Sequence, residues 1–210
     1  MRRVSAPLAR DYPVSEAQIR TTLKESLVRE YSNDRDTLIL EELGLRHGAA
    51  RVDLAVVNGL VHGFEIKSDN DTLDRLPRQV DIYNSVLDRI TVAVGNRHLA
   101  KVVATVPRWW GIALATVSPN CGVSLSRIRT PGDNPCQSIL AVAKLLWRKE
   151  ALALLKELGA AGGLLSKPRK AIYARLVEVC PPVRIHARVC RQLRSRTDWR
   201  SGVLPMSSGG

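Results

Sequence analysis

Several common features are missing from this sequence, and each absence excludes a class of protein. The four cysteines lie 15, 44 and 10 residues apart, so no C-x-x-C pair is present to form a zinc or thiol-redox site. We interpret them as free thiols of a reducing cytoplasm. No window contains the roughly 18 consecutive apolar residues that a membrane-spanning helix needs, and the basic N-terminus has no apolar leader core. Membrane insertion and secretion are therefore both disfavoured, and a cytoplasmic location is expected.

Acidic residues are scarce in the last third of the chain. The 210 residues contain 32 Lys and Arg against 20 Asp and Glu, a net charge of +12. Residues 1–135 have 18 basic and 16 acidic side chains, whereas residues 136–210 have 14 basic and 4 acidic ones. The positive excess therefore belongs to the C-terminal part, where it predicts a polyanionic partner.

A linker is predicted at residues 129–135, where two prolines and a glycine interrupt any helix or central strand. This linker divides the chain into a domain over residues 1–135 and a basic helical domain over residues 136–200. The segment 201–210 ends in Met-Ser-Ser-Gly-Gly and is expected to be a disordered tail.

The first domain alternates between helix and strand patterns. Ser15 and Gln18 form a capping-box pattern at the start of a helix predicted over residues 16–31. Runs of β-branched and apolar residues predict five strands, over residues 37–40, 52–57, 60–66, 90–94 and 112–117. Further helices are predicted over residues 73–87 and up to about residue 106. This order predicts an α/β fold with a mixed central sheet.

The second domain contains only helical patterns. Helices are predicted over residues 137–158, 168–179 and 183–196, separated by the breakers Gly162-Gly163 and Pro181-Pro182. We therefore expect a C-terminal basic helical extension in the form of a small bundle.

Two carboxylates and a lysine lie on the predicted hairpin. Asp53 begins one strand, and Glu65 and Lys67 end the next on the same face, because side chains alternate along a strand. Carboxylate oxygens are hard ligands for Mg²⁺, and a lysine can hold or deprotonate a water. The grouping predicts a metal-dependent hydrolytic site, with a surface ion-pair cluster as the alternative.

The predicted site depends on the length of the turn between these strands. Asn58-Gly59 is a typical two-residue hairpin turn, and that turn would place Asp53 and Glu65 on opposite faces. One extra residue, in a bulge at Gly63 or in a loop that includes Leu60, would place Asp53 opposite Glu65. We predict this longer connection, because a regular two-residue hairpin would exclude the metal site.

These residues also carry a family resemblance. The stretch RVDLAVVNGLVHGFEIKSD, followed by RLPRQVDIYNSVLDRITVAVG, resembles the PD-(D/E)XK nuclease superfamily. It is most similar to the RecB-like branch with a Q-x-x-x-Y motif, and to a poorly characterised bacterial group within it. The resemblance covers residues 16–117 and implies a restriction-endonuclease-like αβββαβ core.

The resemblance implies a role for each residue of the site. Asp53 and Glu65 would be ligands of Mg²⁺ or Mn²⁺, with the Ile66 carbonyl as a third. Lys67 would position or activate the attacking water. Two residues of the next helix, Gln79 and Tyr83, would support the site or touch the substrate backbone.

The superfamily often has an additional acidic residue upstream of these. We favour Glu42, because it precedes Asp53 on an adjacent strand end, over the alternatives Glu41, Glu25 and Glu30. The sequence departs from the superfamily pattern in having Val52, where the motif has its leading proline.

Two groups of arginines are candidates for binding nucleic acid. Arg75 and Arg78 precede or begin the helix that carries Gln79. The second group, Arg184, Arg188 and Arg191, lies on one helical face at i, i+4 and i+7, so the charges would add over a phosphate backbone. Only Asp198 offers an acidic partner near the second group. We therefore favour nucleic acid contact over a solvated helix face.

The sequence as a whole predicts a Mg²⁺- or Mn²⁺-dependent nuclease, acting on DNA in preference to RNA, in bacterial repair, restriction or phage defence. Two alternatives stay open. One is a catalytically inactive nuclease fold that binds nucleic acid. The other is an interaction module whose basic helices dock on an acidic protein partner, and a homodimer is a further option.

Overall fold

The computed structural model describes residues 12–118 and 122–196, which form an α/β fold around a mixed sheet. Six strands lie in the order β1-β2-β3-β4-β5-β6. They are β1 (Leu38–Leu45), β2 (Ala50–Val57), β3 (Val61–Lys67), β4 (Arg89–Gly95), β5 (Gly111–Ser118) and β6 (Gly122–Arg129). β3, β4 and β5 are parallel, and the remaining neighbours are antiparallel. The predicted fold class is therefore confirmed at this level.

Helices cover both faces of the sheet. They are α1 (Glu16–Glu30), α2 (Leu76–Val86), α3 (Leu99–Thr105), α4 (Ile139–Ala143), α5 (Arg148–Glu157), α6 (Arg169–Val179) and α7 (Pro182–Ser195). α1 begins at the predicted capping box, in which the Gln18 N–H donates to Ser15 Oγ and the Ser15 N–H donates to Gln18 Oε1. Within the described ranges, no helix is both long and apolar enough to cross a membrane.

The two faces of the sheet have separate hydrophobic cores. The core on one face is small and is built by Ile19, Leu23 and Leu27 of α1, which pack on Phe64, Ile66 and other strand side chains. The core on the other face is larger, and it includes α2, α3 and the C-terminal helices α4 to α7. The C-terminal helices therefore share one continuous apolar cluster with the sheet.

Several elements differ from the prediction, and β1 runs to Leu45 instead of ending at residue 40. β6 was not predicted, because its residues are mostly exposed and few of them are apolar. The single helix over residues 137–158 is wrong, since α4 ends at Ala143 and a new helix starts at Arg148. The Glu150 carboxylate accepts a hydrogen bond from the Trp147 N–H at 2.6 Å and so caps the new start. α2 begins at Leu76, three residues late, with Pro77 in its first turn.

The predicted linker is held against the first half of the chain. The Asn134 side chain donates to the carbonyls of Asn84 and Leu87, both at 2.7 Å, and Gln137 donates to the Val86 carbonyl. A domain boundary at residue 135 stays a prediction. The predicted tail over residues 201–210 lies outside the described residues, as does Cys121.

One ion pair ties the C-terminal helices to the sheet. His186 of α7 lies 2.8 Å from Asp88, just before β4. Asp88 also accepts hydrogen bonds from the Val61 N–H at 2.6 Å and from Gln137 at 3.0 Å. The hydrogen bond to Asp88 raises the pKa of His186 from 6.5 to about 10.

Replacing His186 with glutamine is expected to remove a pH-dependent part of the folding stability. Because the pKa is raised on folding, the charged histidine stabilises the protein fully below pH 6.5, and this contribution is lost as the pH rises to about 10. We expect the wild-type protein to lose about 2 kcal/mol of unfolding free energy over this range that the variant does not lose. Urea denaturation at several pH values measures the difference, and identical pH profiles would contradict it.

Candidate active site

The turn between β2 and β3 decides whether the predicted site forms. The observed register pairs Leu54 with Phe64 and Val57 with Val61, so the loop contains three residues, Asn58 to Leu60. Gly59 has a φ of +100°, a conformation that favours glycine. This confirms the longer connection, in the form of the loop that includes Leu60. Continued by one pair, this register places Asp53 opposite Glu65.

Gly63 was the alternative position for the extra residue, and the structure shows no bulge there. Gly63 pairs regularly with Ala55. Its small size has a different reason, because a Cβ atom at this position would lie 2.5 Å from Leu87 Cδ1 and 3.2 Å from Val52 Cγ2. Leu87 is fully buried, so the glycine allows close packing against the sheet.

Asp53 lies where the ladder between β2 and β3 ends. The last recorded pair is Leu54 with Phe64. Beyond it, the Ile66 N–H donates to Asp53 Oδ2 at 2.7 Å, so the carboxylate takes the place of a backbone acceptor. The other oxygen, Oδ1, accepts a hydrogen bond from Arg20 Nη2 of α1, also at 2.7 Å. Asp53 is therefore held from two sides.

Glu65 is the most buried charged residue of the site, with only 2% of its surface exposed. Its Oε1 accepts hydrogen bonds from Lys67 Nζ at 2.7 Å and from Gln79 Nε2 at 2.6 Å. Its Oε2 accepts a hydrogen bond from the Tyr83 hydroxyl at 2.6 Å. Gln79 and Tyr83 are one turn apart on α2, which packs over this face of β3. The alternative of a surface ion-pair cluster is wrong, because Glu65 and Lys67 are both buried.

The side chains of α2 leave one acceptor free. Tyr83 has a single hydroxyl proton, and Glu65 and the Arg51 carbonyl, 2.7 Å away, compete for it. Burial raises the pKa of Tyr83 and the charge of Glu65 raises it further, so the hydroxyl stays protonated. The Gln79 Oε1 atom is buried and has no hydrogen-bond partner among the described residues. It is an acceptor that a bound water or substrate group could use.

The two carboxylates concentrate negative charge. Burial raises the pKa of Asp53 to about 6, and the charge of Glu65 contributes in the same direction. Hydrogen bonds from Ile66 and Arg20 oppose this shift without cancelling it. A cation placed between the carboxylates would therefore relieve an unfavourable interaction.

The predicted metal ligands are all oxygen donors. Mg²⁺ is usually held by one or two carboxylates and keeps several waters, so Asp53, Glu65 and the Ile66 carbonyl are of the type that Mg²⁺ prefers, and their binding of a metal stays a prediction. Among the described residues, no group of three or more His, Cys, Asp and Glu side chains is placed to hold a metal ion.

Comparison with known proteins assigns this chain to a family. The family model of bacteriophage P4 protein cII matches residues 10–204. The chain belongs to the bacteriophage P4 protein cII family. Protein cII of Enterobacteria phage P4 is 32% identical over 97 residues, which are 46% of this chain and 34% of that protein. The match thus spans about a third of the curated relative.

A solved structure was also found. A protein of unknown function from Silicibacter pomeroyi matches 57% of this chain and 75% of its own, with 18% sequence identity and a TM-score of 0.39.

In this cII-family chain, Glu42 lies beside the site and is linked to it through an arginine. The register of β1 and β2 places Glu42 opposite Asp53, and Glu42 has a φ of +59°, unusual for a residue other than glycine. Its carboxylate pairs with Arg20 at 3.3 Å and with Arg51 at 3.1 Å. Both recorded partners are arginines, so its predicted role as the upstream acid stays a prediction.

Arg20 is a residue of the site that was not predicted from the sequence. It contacts both Asp53 and Glu42, and it also pairs with Glu16 at 2.7 Å. The available signal was its position next to Ile19, a sheet-facing residue of α1, which places the long side chain at the edge of the helix–sheet contact.

The two arginine groups differ in their acidic neighbours. Arg75 and Arg78 are exposed and have no ion pair among the described residues, and Arg75 lies one helical turn before Gln79. The C-terminal group instead has an acidic neighbour, Glu157 of α5. Its carboxylate accepts a hydrogen bond from Arg188, which lowers the pKa of Glu157.

The contact between Arg188 and Glu157 removes one reason for expecting nucleic acid binding at α7. Glu157 also lies 4.0 Å from Arg184, and the charge of Arg191 further lowers its pKa. The premise that only Asp198 offered an acidic partner is therefore wrong, because α5 supplies one from another part of the chain. Asp198 itself lies outside the described residues. Binding by these three arginines stays a prediction without that support.

Proposed function

We propose that this cII-family chain is a Mg²⁺- or Mn²⁺-dependent nuclease of the PD-(D/E)XK type, with a restriction-endonuclease-like core over residues 16–117. The observation that carries the proposal is the buried cluster at the end of β3. Glu65 accepts hydrogen bonds from Lys67, Gln79 and Tyr83. Asp53 lies on β2, one residue beyond the pair Leu54–Phe64, and so opposite Glu65 if the register continues. A cluster of only structural importance would have little reason to leave a buried acceptor of Gln79 unpaired.

Each residue of the buried cluster would have a defined role in catalysis or in supporting the site. Asp53, Glu65 and the Ile66 carbonyl would hold the cation, which when bound lowers the pKa of a water and offsets charge on a phosphodiester. Tyr83 keeps Glu65 in place through its hydrogen bond to Oε2. Lys67 orients the attacking water and stabilises the charge that develops on the phosphate oxygens.

The free acceptor and the exposed arginines would complete the site. Gln79 Oε1 can accept a hydrogen bond from the attacking water. Arg75 and Arg78, at the start of the same helix, would hold the substrate backbone beside the site. DNA is favoured over RNA by the resemblance to the superfamily alone.

Removal of the metal should abolish the activity. We expect the purified chain to cleave single- or double-stranded DNA with Mg²⁺ or Mn²⁺. In EDTA the cleavage rate should be at least about 100-fold lower. RNA substrates of the same sequence test the preference for DNA. Cleavage that persists in EDTA would contradict a metal-dependent mechanism.

A second candidate is an inactive nuclease fold that binds nucleic acid. The ion pair between Arg20 and Asp53 favours it, because a cation already occupies an oxygen that a metal would need. This candidate predicts binding that weakens as salt rises, without cleavage under any metal condition. The cleavage and binding assays together therefore separate the two functions.

A further inference from the structure

Arg20 is the centre of an ion-pair group at the edge of the proposed site. Its Nη2 lies 2.7 Å from Asp53 Oδ1 and 2.7 Å from Glu16 Oε1. Its Nη1 lies 3.3 Å from the Asp53 carbonyl and 3.3 Å from Glu42 Oε1. Its side chain is only 21% exposed, so these contacts are partly shielded from solvent.

This arrangement occupies both oxygens of Asp53. Oδ2 receives the Ile66 N–H and Oδ1 receives the guanidinium. A divalent cation bound to Asp53 would take a remaining lone pair beside Arg20 or displace Arg20, and the positive charge of the guanidinium would repel it in either case. The interaction is strong because the pair lies partly out of water.

Arg20 can leave Asp53 without losing all its partners. Glu16 is one helical turn before it on α1, and Glu42 lies across from Asp53 on β1. Both carboxylates are about half exposed and would keep the guanidinium paired after its release. The cost of displacement is thereby reduced to the loss of one ion pair and of the hydrogen bond to the Asp53 carbonyl.

We infer that Arg20 is a positioning residue that occupies Asp53 in the absence of metal and competes with the divalent cation for it. The inference rests on the proposed function, because it takes Asp53 as a metal ligand. Arg20 thereby lowers the affinity of the site for the metal. By linkage, bound metal weakens the contact between Arg20 and Asp53 by the same factor.

Direct measurement of Mn²⁺ binding tests the inference without relying on activity. Titration calorimetry at pH 8 would compare the wild-type chain with Arg20→Gln. We expect the variant to bind Mn²⁺ about tenfold more tightly, because the competing charge is gone. Arg20→Lys keeps the charge and loses the two-pronged contact, so its Mn²⁺ affinity should lie between those of the wild type and Arg20→Gln. This variant replaces Arg20→Gln in the comparison if the glutamine variant does not fold.

Arg51→Gln is the matched control. Arg51 also pairs with Glu42, yet it is 61% exposed and has no recorded contact with the Asp53 side chain. Its replacement should change the Mn²⁺ affinity less than twofold. An equal effect of both replacements would show that general charge removal, and not contact with Asp53, explains the change, and would overturn the inference.

The other outcomes separate this inference from the proposed function. Asp53→Asn should abolish Mn²⁺ binding in the wild-type and Arg20→Gln backgrounds. If Asp53 is required but Arg20→Gln binds no more tightly than the wild type, the role of Arg20 is wrong and the metal site stands. If neither the wild type nor any variant binds Mn²⁺, or if binding does not need Asp53, the role of Arg20 and the proposed metal site are both wrong.

Discussion

Replacing Asp53 with asparagine is expected to reduce Mg²⁺-dependent cleavage by at least about 1000-fold, while the chain stays folded. The substitution removes one of two charges that would hold the cation, and metal-ion catalysis contributes several kcal/mol to such reactions. The fold should tolerate it, because an asparagine oxygen can still accept the hydrogen bond from the Ile66 N–H. Single-turnover cleavage of a labelled DNA substrate measures the loss.

Asp81→Asn is the control for this experiment. Asp81 lies on the exposed side of α2, close in sequence to Gln79 and Tyr83, and loses the same single charge. Its cleavage rate should stay within about twofold of the wild-type rate. If Asp53→Asn is folded by circular dichroism and cleaves as fast as Asp81→Asn, Asp53 has no part in the reaction.

Replacing Glu65 with methionine is expected to lower the free energy of unfolding by about 4 kcal/mol. Among residues 12–118 and 122–196, the carboxylate is the only ion-pair partner of Lys67, whose side chain is 11% exposed. Removing one member of a buried pair leaves the other charge uncompensated, at a cost of about 3–5 kcal/mol. The Gln79 amide also loses the shorter of its two hydrogen bonds, whereas Tyr83 can still donate to the Arg51 carbonyl.

A second substitution tests the origin of this loss. Lys67→Met in the Glu65→Met background should recover at least half of the lost stability, because a buried ion pair can usually be replaced by apolar side chains at little cost. A double-mutant cycle by urea denaturation gives the coupling energy. Additive effects would show that Lys67 does not depend on Glu65 for its burial. The stabilised double variant should have no cleavage activity, which separates the role of the pair in folding from its role in chemistry.

Local patterns in the sequence were sufficient for much of the site. The alternation along β3 places Glu65 and Lys67 on one face, and the helical spacing of Gln79 and Tyr83 places them together on α2. Strand register requires one extra residue, in a bulge at Gly63 or in a longer loop, and the loop Asn58 to Leu60 supplies it. These features depend on residues close in the chain, whose geometry is dictated by secondary structure.

The sequence was less informative where an element has little apolar content or depends on a partner. β6 is an edge strand with mostly exposed residues, so its alternation gives a weak signal. The interruption between α4 and α5 depends on Glu150, which caps the new helix and also pairs with Arg196. Helical periodicity continues across this break and predicts one helix.

The sequence by itself determined the α/β class, the hairpin and the carboxylate–lysine grouping, because each follows from the spacing of nearby residues. Only the tertiary structure decided which charges meet. Arg20 reaches Asp53 across 33 positions, Arg188 reaches Glu157 across 31, and His186 reaches Asp88 across 98. Such pairs form where separate elements pack together, and no local period records them. For the same reason the arginines of α7 have no acidic partner close to them in the sequence, and the pairing of Arg20 with Asp53 was not predicted.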